Sequence, residues 1–541
     1  MTIRIRKSDC GDQFVSRNYG IYRGENIASI LYLSGALLAL STSIATAQVS
    51  DEGPGLTPLT YANAVETEAA AANQAAFDVL NVACNADGRF DQTPVPEFAD
   101  APMGGDCTEE AFAIFRTSRE LVHTANELQG SGPTISSLGH DLEGLGLAMR
   151  WTAAEEFAAQ GSMATDFAND QLSNLAARMS ALRFGARGFT FAAMPVNPGG
   201  DTRVASLEHP RGGGASGDEG VEIYSPWGGF INGAFGWGTK EPTDLENPFD
   251  FDGSEVTAGI DYRFSNNFIL GGMVGYTEQT VDFDESASST SVVDGKIKAE
   301  GFSYIAFGMF EGERLTFSAS LGYQSLDYES VRNIYYPSFN PDIESVVGTA
   351  LSRPDSTLYM GTMNLAYGMN LGRLTIEPYI NMEYRDITID QFTEDRATNA
   401  LDPVDERNFS LIVGEQSIKS SIGAFGVNLN LILTPSFAVV VPFVSFEARK
   451  EFEDSSRSIS AEYVGLDVLN PNGFVVPTDV IDDSYTQGSI GLSMVLRGGR
   501  PRNNQDGAIY GRLQAFVQYS TINGLQHYDI EYISGGFRYA F

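Results

Sequence analysis

The segment Ser534-Gly535-Gly536-Phe537-Arg538-Tyr539-Ala540-Phe541 decides the reading of this chain. Side chains alternate faces along a strand, so Phe537, Tyr539 and Phe541 form one aromatic stripe while Gly536, Arg538 and Ala540 point the other way. An aromatic face opposite a small and polar one is what the wall of a barrel between lipid and lumen requires. At the edge of a soluble sandwich the same stripe would lie unprotected and invite edge-to-edge aggregation.

Working back from this segment, period-two alternation fills the chain as far as Pro226. Strands are expected at 227–237, 255–264, 267–283, 299–310, 314–328, 358–370, 373–389, 417–433, 438–452, 486–497, 508–522 and 528–541. That makes about twelve strands of membrane-crossing length. The connections sort by parity. Those at 238–254, 284–298, 329–357, 390–416 and 453–485 are long and polar, whereas 265–266, 311–313, 371–372 and 434–436 are tight turns, with 498–507 the longer exception. Outer-membrane barrels have short periplasmic turns and long outer loops, and an even strand count returns both barrel ends to the periplasmic side. The faces agree. Leu374, Ile376, Pro378, Ile380, Met382 and Tyr384 alternate with Thr375, Glu377, Tyr379, Asn381, Glu383 and Arg385. Glu377, Glu383, Arg385, Glu447, Arg449, Arg512, Gln514, Gln518 and Arg538 are therefore the candidate lumen-facing residues, and the lumen is expected to be polar. Pro378 and Pro442 lack an N–H, so each is expected to mark a bulge or a strand end.

The N-terminal part has a different character. Arg4, Arg6, Lys7, Arg17 and Arg23 precede an apolar run at 27–40, and Ala45-Thr46-Ala47 offers small residues for a signal peptidase; residues 1–47 read as a secretory signal. Residues 48–195 are Ala-rich with apolar positions three and four apart, and helices are expected at 60–83, 108–128, 138–159 and 165–183. Cys84 follows the first helix and Cys107 precedes the second. One cysteine pair in an exported protein reads as one disulfide, which stabilises such a loop by about 3 kcal/mol. Residues 196–225 are rich in Gly, Pro and Ser and form a linker, leaving 226–541 for the barrel. The formal charge of −36 argues against nucleic acid as a partner.

A signal, a helical region ending in a helix, and a barrel of about twelve strands closing on an aromatic terminus resemble the autotransporter family of type V secretion. Trp227-Gly228-Gly229-Phe230, Gly259-Ile260-Asp261-Tyr262-Arg263-Phe264 and the terminal Gly-Phe-Arg-Tyr-Ala-Phe carry the resemblance, which covers about 226–541. The terminal segment also resembles the signal of bacterial outer-membrane proteins, with Gly536, Phe537, Tyr539 and Phe541 as its barrel-assembly residues. The resemblance implies export through the Sec translocon, insertion by the outer-membrane barrel-assembly machinery into the lipid of a Gram-negative outer membrane, and a monomeric barrel. It further implies a helix filling the pore. The stripe Leu172, Leu175, Met179 and Leu182 is the candidate, with Arg178, Arg183 and Arg187 placed to pair with Glu377, Glu383 or Glu447. Three departures stand out. The passenger is short and helical, the linker is long, and the Asn-Asn pair at which some relatives cut themselves is missing from this region, so an uncleaved passenger is expected.

No catalytic motif emerges. The chain has His123, His140, His209 and His527, and neither a Gly-x-Ser-x-Gly elbow nor a Gly-Asp-Ser-Leu start. Ser136, Ser137, His140 and Asp141 are neighbours in sequence, and a capped helix start explains them better than a triad. Asp87 to Asp91 and Asp250-Phe251-Asp252-Gly253 lack the spaced carboxylates of a calcium loop. The expectation is a mainly β protein, a 12-stranded antiparallel transmembrane barrel with an N-terminal helical passenger. It would translocate and display that passenger at the cell surface without catalysis, cofactor or metal. The alternatives are a porin-like channel with a helical plug or periplasmic domain, and a surface adhesin.

Overall fold

The computed structural model describes residues 53–85, 107–153 and 155–165, the helical positions Leu172, Leu175 and Met179, and most of 227–540. Within that last stretch, 266, 284–294, 398–409, 436–437, 454–456, 467–472, 481 and 497–511 fall outside the description. The expected signal, the linker, the Asp87 to Asp91 run, Arg178, Arg183, Arg187 and Phe541 lie outside the described residues.

Twelve antiparallel strands form a closed barrel. They are β1 (Trp227–Lys240), β2 (Phe249–Ser265), β3 (Phe268–Phe283), β4 (Lys296–Glu311), β5 (Leu315–Tyr336), β6 (Asp355–Tyr367), β7 (Leu374–Ile389), β8 (Gln416–Leu431), β9 (Ala438–Glu451), β10 (Ser484–Leu496), β11 (Arg512–Asn523) and β12 (Tyr528–Ala540). Each pairs with the next, and β12 closes on β1 with Ala540 opposite Gly228 and Tyr528 opposite Lys240. Closure removes the edges that an aromatic last strand would otherwise expose. No helix among the described residues is long and apolar enough to cross a membrane.

Outward positions are apolar and exposed, among them Ile231, Val256, Ile260, Phe302, Leu321, Met363, Met382, Phe425, Ile490 and Phe537. Rings cluster at two heights. Trp227, Tyr262, Phe264 and Phe268 touch in series beside the short turns, and Tyr276 with Phe302 and Tyr323 with Tyr359 meet farther up. Phe268 to Tyr276 spans about 27 Å along a strand, or about 20 Å along the axis of a tilted barrel, which matches an apolar band flanked by aromatic girdles.

The prolines do less than expected. Neither causes a bulge, and the register runs through both. Val427 faces Pro378 in the β7–β8 ladder and Leu492 faces Pro442 in the β9–β10 ladder. What each interrupts is the ladder on its other side. The β6–β7 pairing stops at Ala366 and Tyr379 and resumes at Met369 and Ile376 in the same register. The β8–β9 pairing stops at Asn430 and Phe443 and resumes as one bridge, Leu433 to Val440. A missing N–H removes one ladder bond, and the alternation of buried and exposed side chains holds the register regardless.

Among the described residues, α1 (Ala64–Cys84), α2 (Glu109–Gln129) and α3 (Leu142–Ala153) precede the barrel, with further helical residues after them. Asn63 caps α1 and Thr108 caps α2 by accepting from the backbone N–H three residues on, and Gly130 ends α2 in the left-handed region that favours glycine. The Cys84–Cys107 disulfide links the end of α1 to the residue before the α2 cap. The third expected helix, 138–159, is shorter than its pattern implied. The chain turns at Glu155 and Glu156 and is helical again at 157–165. Arg150 grips Glu155 in a fork with contacts of 2.8 to 3.2 Å, which fixes the turn.

The helices pack on the end of the barrel where the long connections lie. Short strands in those connections, Phe392–Thr393, Leu411–Val413, Ser458–Tyr463 and Phe474–Pro477, form a four-stranded sheet. One buried core joins the two parts: Val65, Phe77, Leu80, Phe112, Phe115, Leu121 and Met149 from the helices with Ile334, Tyr336, Phe392, Leu411, Val413, Ile459, Tyr463 and Val476.

Candidate functional site

The barrel interior and its long-loop end carry the functional geometry. Leu172, Leu175 and Met179 are buried in one cluster with Phe230, Ile269, Met273, Ile305, Phe307, Met309, Leu358, Met360, Ile387, Ile389 and Ile418. These barrel residues occupy inward positions of β1, β3, β4, β6, β7 and β8. The expectation of a polar lumen is therefore corrected: one side of the wall is an apolar seat. It escaped notice because alternating hydrophobes on both faces of β3, β4 and β6 read as lipid-facing, whereas a lumen that holds a helix stripe must be apolar where the stripe lies.

The opposite side is polar, and the described candidates meet there. Glu383 accepts from Arg385 at 2.5 Å and from Arg449 at 2.6 Å, and Arg449 also contacts Glu447 at 3.1 Å and donates to Gln487 at 2.8 Å. Glu377 accepts from Asn428 at 3.3 Å, and Gln514 is buried. Glu383 and Glu447 are thus engaged by arginines of the wall itself. The helix arginines expected to reach them lie outside the described residues, as does the side chain of Arg512. Beside Leu172, Leu175 and Met179 the polar wall leaves a cavity of about 140 Å³ bounded by Asn381, Glu383, Asn428, Arg449 and Gln518, room for on the order of ten waters.

The seam of the barrel uses the terminal segment. Arg538 on β12 reaches across Gly228 on β1 to Asp261 on β2 at 3.0 Å, with both side chains buried. A side chain at Gly228 would occupy that path, since a Cβ there would lie 2.3 Å from the Arg538 guanidinium. Gly536 also points inward, its Cβ position 2.1 Å from Asn232 Oδ1, while Phe537 and Tyr539 project outward.

At the long-loop end, polar contacts tie the helices to the loops. Arg332 donates to both Glu394 oxygens at 2.9 and 2.5 Å and to the Trp151 carbonyl at 3.1 Å, and Glu394 also accepts from the Leu411 N–H. Tyr463 donates to Asn73, the Phe339 N–H donates to the Leu138 carbonyl, and Gln160 donates to Ser330. These residues are not legible in the sequence as a docking surface, because long polar connections read as solvated loops. The signal was present: the β5 alternation runs on to Tyr336, and 458–463 and 474–477 carry short apolar alternations of their own.

The histidine and serine cluster folds as a capped helix start. Asp141 accepts from the Gly144 N–H at 2.9 Å, and His140 contacts the Pro337 carbonyl. His123 is fully buried, and its Nδ1 accepts from the Ser136 N–H at 3.1 Å. Burial, with Arg119 nearby, lowers its pKa to about 3, so it is neutral at physiological pH. Burial raises the Glu155 carboxyl to about 8 against the opposing pull of Arg150. No metal-binding group occurs among the described residues.

A strand-crossing, closed barrel seamed by its last strand defines an outer-membrane barrel, and comparison specifies which kind. A sequence model of the autotransporter β-domain matches residues 229–499, and the chain belongs to that family. The barrel is similar to the translocator domain of the autotransporter NalP from Neisseria meningitidis (16% identity, 59% of this chain and 89% of that one, TM-score 0.39). It is similar also to the β-domain of the Bordetella autotransporter BrkA (15% identity, 58% and 99% covered, TM-score 0.36). A third similar structure is the transport unit of AIDA-I from Escherichia coli (12% identity, 58% and 89% covered, TM-score 0.33). No curated protein sequence matches the chain. The protein is thus an autotransporter translocator barrel, whose fold assigns it to the Gram-negative outer membrane.

Proposed function

We propose that this translocator retains its own short helical region, uncleaved, as a lid on the outer mouth, so that the protein displays that region at the cell surface and catalyses no reaction. The shared core of the helices with Ile334, Tyr336, Phe392, Leu411 and Tyr463 supports this reading, because Phe392, Leu411 and Tyr463 belong to the long connections and Ile334 and Tyr336 to the end of β5 that runs into one, and long connections face outward in outer-membrane barrels. Leu172, Leu175 and Met179 plug the lumen against the apolar seat. The chain reaches its membrane by Sec export and barrel assembly, with residues 1–47 as signal, 48–195 as passenger and pore helix, 196–225 as linker and 226–541 as barrel. Phe537, Tyr539 and Phe541 act as the assembly signal. An antibody against the helical region, applied to separated outer membranes and culture medium, tests retention. One full-length species in the membrane fraction is expected, and a helical fragment in the medium overturns the proposal.

A further inference from the structure

A second cavity, of about 150 Å³, lies near the outer mouth between the 157–165 helix, the loop around Arg457 and the hairpin joining β11 and β12. Its floor is aliphatic, built from Ile418, Ile422, Ile522 and Ile530, with Leu525 and Val480 at the entrance and Arg457 in the wall. Five of the six connections at this end are long. The sixth, between Asn523 and Tyr528, is four residues, Gly524 to His527.

Arg457 carries the argument. Among the described residues its guanidinium makes no hydrogen bond and no ion pair, although it lines the cavity wall and lies against the helix backbone at Gly161, where a Cβ would come within 2.2 Å of Nη1. The acids around it are engaged elsewhere. Asp479 and Glu246 hold Lys240 at 2.8 and 3.4 Å. Glu451 accepts from Ser420 and from three backbone N–H groups, and Asp482 accepts from the Gln526 N–H. Arg385 is paired with Glu383. Arg457 is half-buried, and desolvation lowers its guanidinium pKa more than the charges of Glu246 and Tyr528 raise it. A charge drawn even partly from water is ordinarily paired. An unpaired one at the wall of an aliphatic cavity completes its pairing when a guest supplies an anion.

We infer that this cavity binds a small aliphatic monocarboxylate, its carboxylate forked onto Arg457 and its chain on Ile418, Ile422, Ile522 and Ile530. An engineered apolar cavity of ~150 Å³ accepts a benzene-sized guest, which sets the body at about six carbons. Asp479, Asp482 and Glu451 around the rim disfavour a second negative charge on the guest and tolerate an ammonium. Plain and amino-substituted carboxylates share the required chemistry.

Isothermal titration calorimetry on the full chain in detergent, with hexanoate and with leucine as probes, tests the inference and separates the two sources. Saturable binding of at least one is expected, with hexylamine and adipate giving none. Arg457→Met is expected to weaken binding at least about tenfold. Leu525→Trp, which fills the entrance without touching the arginine, is expected to weaken it as well and serves if the first variant fails to fold. Absence of saturable heat from both probes with the folded protein overturns the inference. So does wild-type affinity in either folded variant.

Discussion

Replacing Arg332 with methionine tests whether the helical lid is docked as the structure shows. Arg332 lies where β5 runs past the barrel into its long connection, and its guanidinium joins Glu394 to the Trp151 carbonyl at the end of α3. Both side chains of the pair are almost fully buried, at 2% and 1% exposure. Arg332→Met fills similar space but leaves Glu394 buried without its counter-charge and the Trp151 carbonyl without its donor. Breaking such a pair from one side costs about 3–5 kcal/mol. At about 1.4 kcal/mol per decade this raises the undocked population by roughly two to four orders of magnitude. Arg332 stands at the outer end of β5 and Glu394 in the β7–β8 connection, so the loss falls at the end of the barrel where the helices dock. Limited proteolysis of the purified protein should show much faster cleavage in the helical region, with an unchanged heat-modifiable barrel band on a gel. The double variant Arg332→Met/Glu394→Leu removes both charges and should recover most of the protection, since an apolar replacement of a buried pair is close to neutral. A single variant as resistant as wild type would refute the docked arrangement.

Serine at Cys84 and Cys107, or reductant, should destabilise the α1–α2 unit by about 3 kcal/mol, read as a lower midpoint for loss of helical signal. His123 is held below its ordinary value of 6.5, so the unfolded chain takes up the proton first; its contribution is complete above pH 6.5 and is lost as pH falls towards 3. The loss at pH 4.5 is about 3 kcal/mol, and His123→Gln should flatten the acid limb of a denaturation series by about that amount. Gly228→Val obstructs the path of Arg538 to Asp261 and should lower the folded fraction of barrel in a heat-modifiability assay by a cost of about 1–3 kcal/mol. Deleting residues 170–187 should raise the single-channel conductance of the barrel in a planar bilayer severalfold, and equal conductance would exclude a plug.

The barrel was legible because its physics is repetitive. Alternation in 374–385, parity of connection length and the outward Phe537 and Tyr539 each follow from one strand between lipid and lumen, and each recurs among the described residues. What escaped was long-range. Nothing local in Arg332, Glu394 or Tyr463 says that a helix lies above it, because charged and aromatic residues in long polar loops are ordinary. The apolar seat was hidden likewise: Phe307 and Met309 alternate with Gly308 and Phe310, and only the packed Leu175 and Met179 reveal which hydrophobes face inward. The proline result shows a propensity rule overridden, since register held by a dozen neighbouring pairs outweighs one absent donor.

The most direct test of the account inserts a short epitope at Gly130–Ser131, the exposed end of α2, and measures antibody binding by flow cytometry on intact and on permeabilised cells. A helical lid on the outer mouth predicts equal binding in both. Binding only after permeabilisation would place the lid on the periplasmic side and contradict the account.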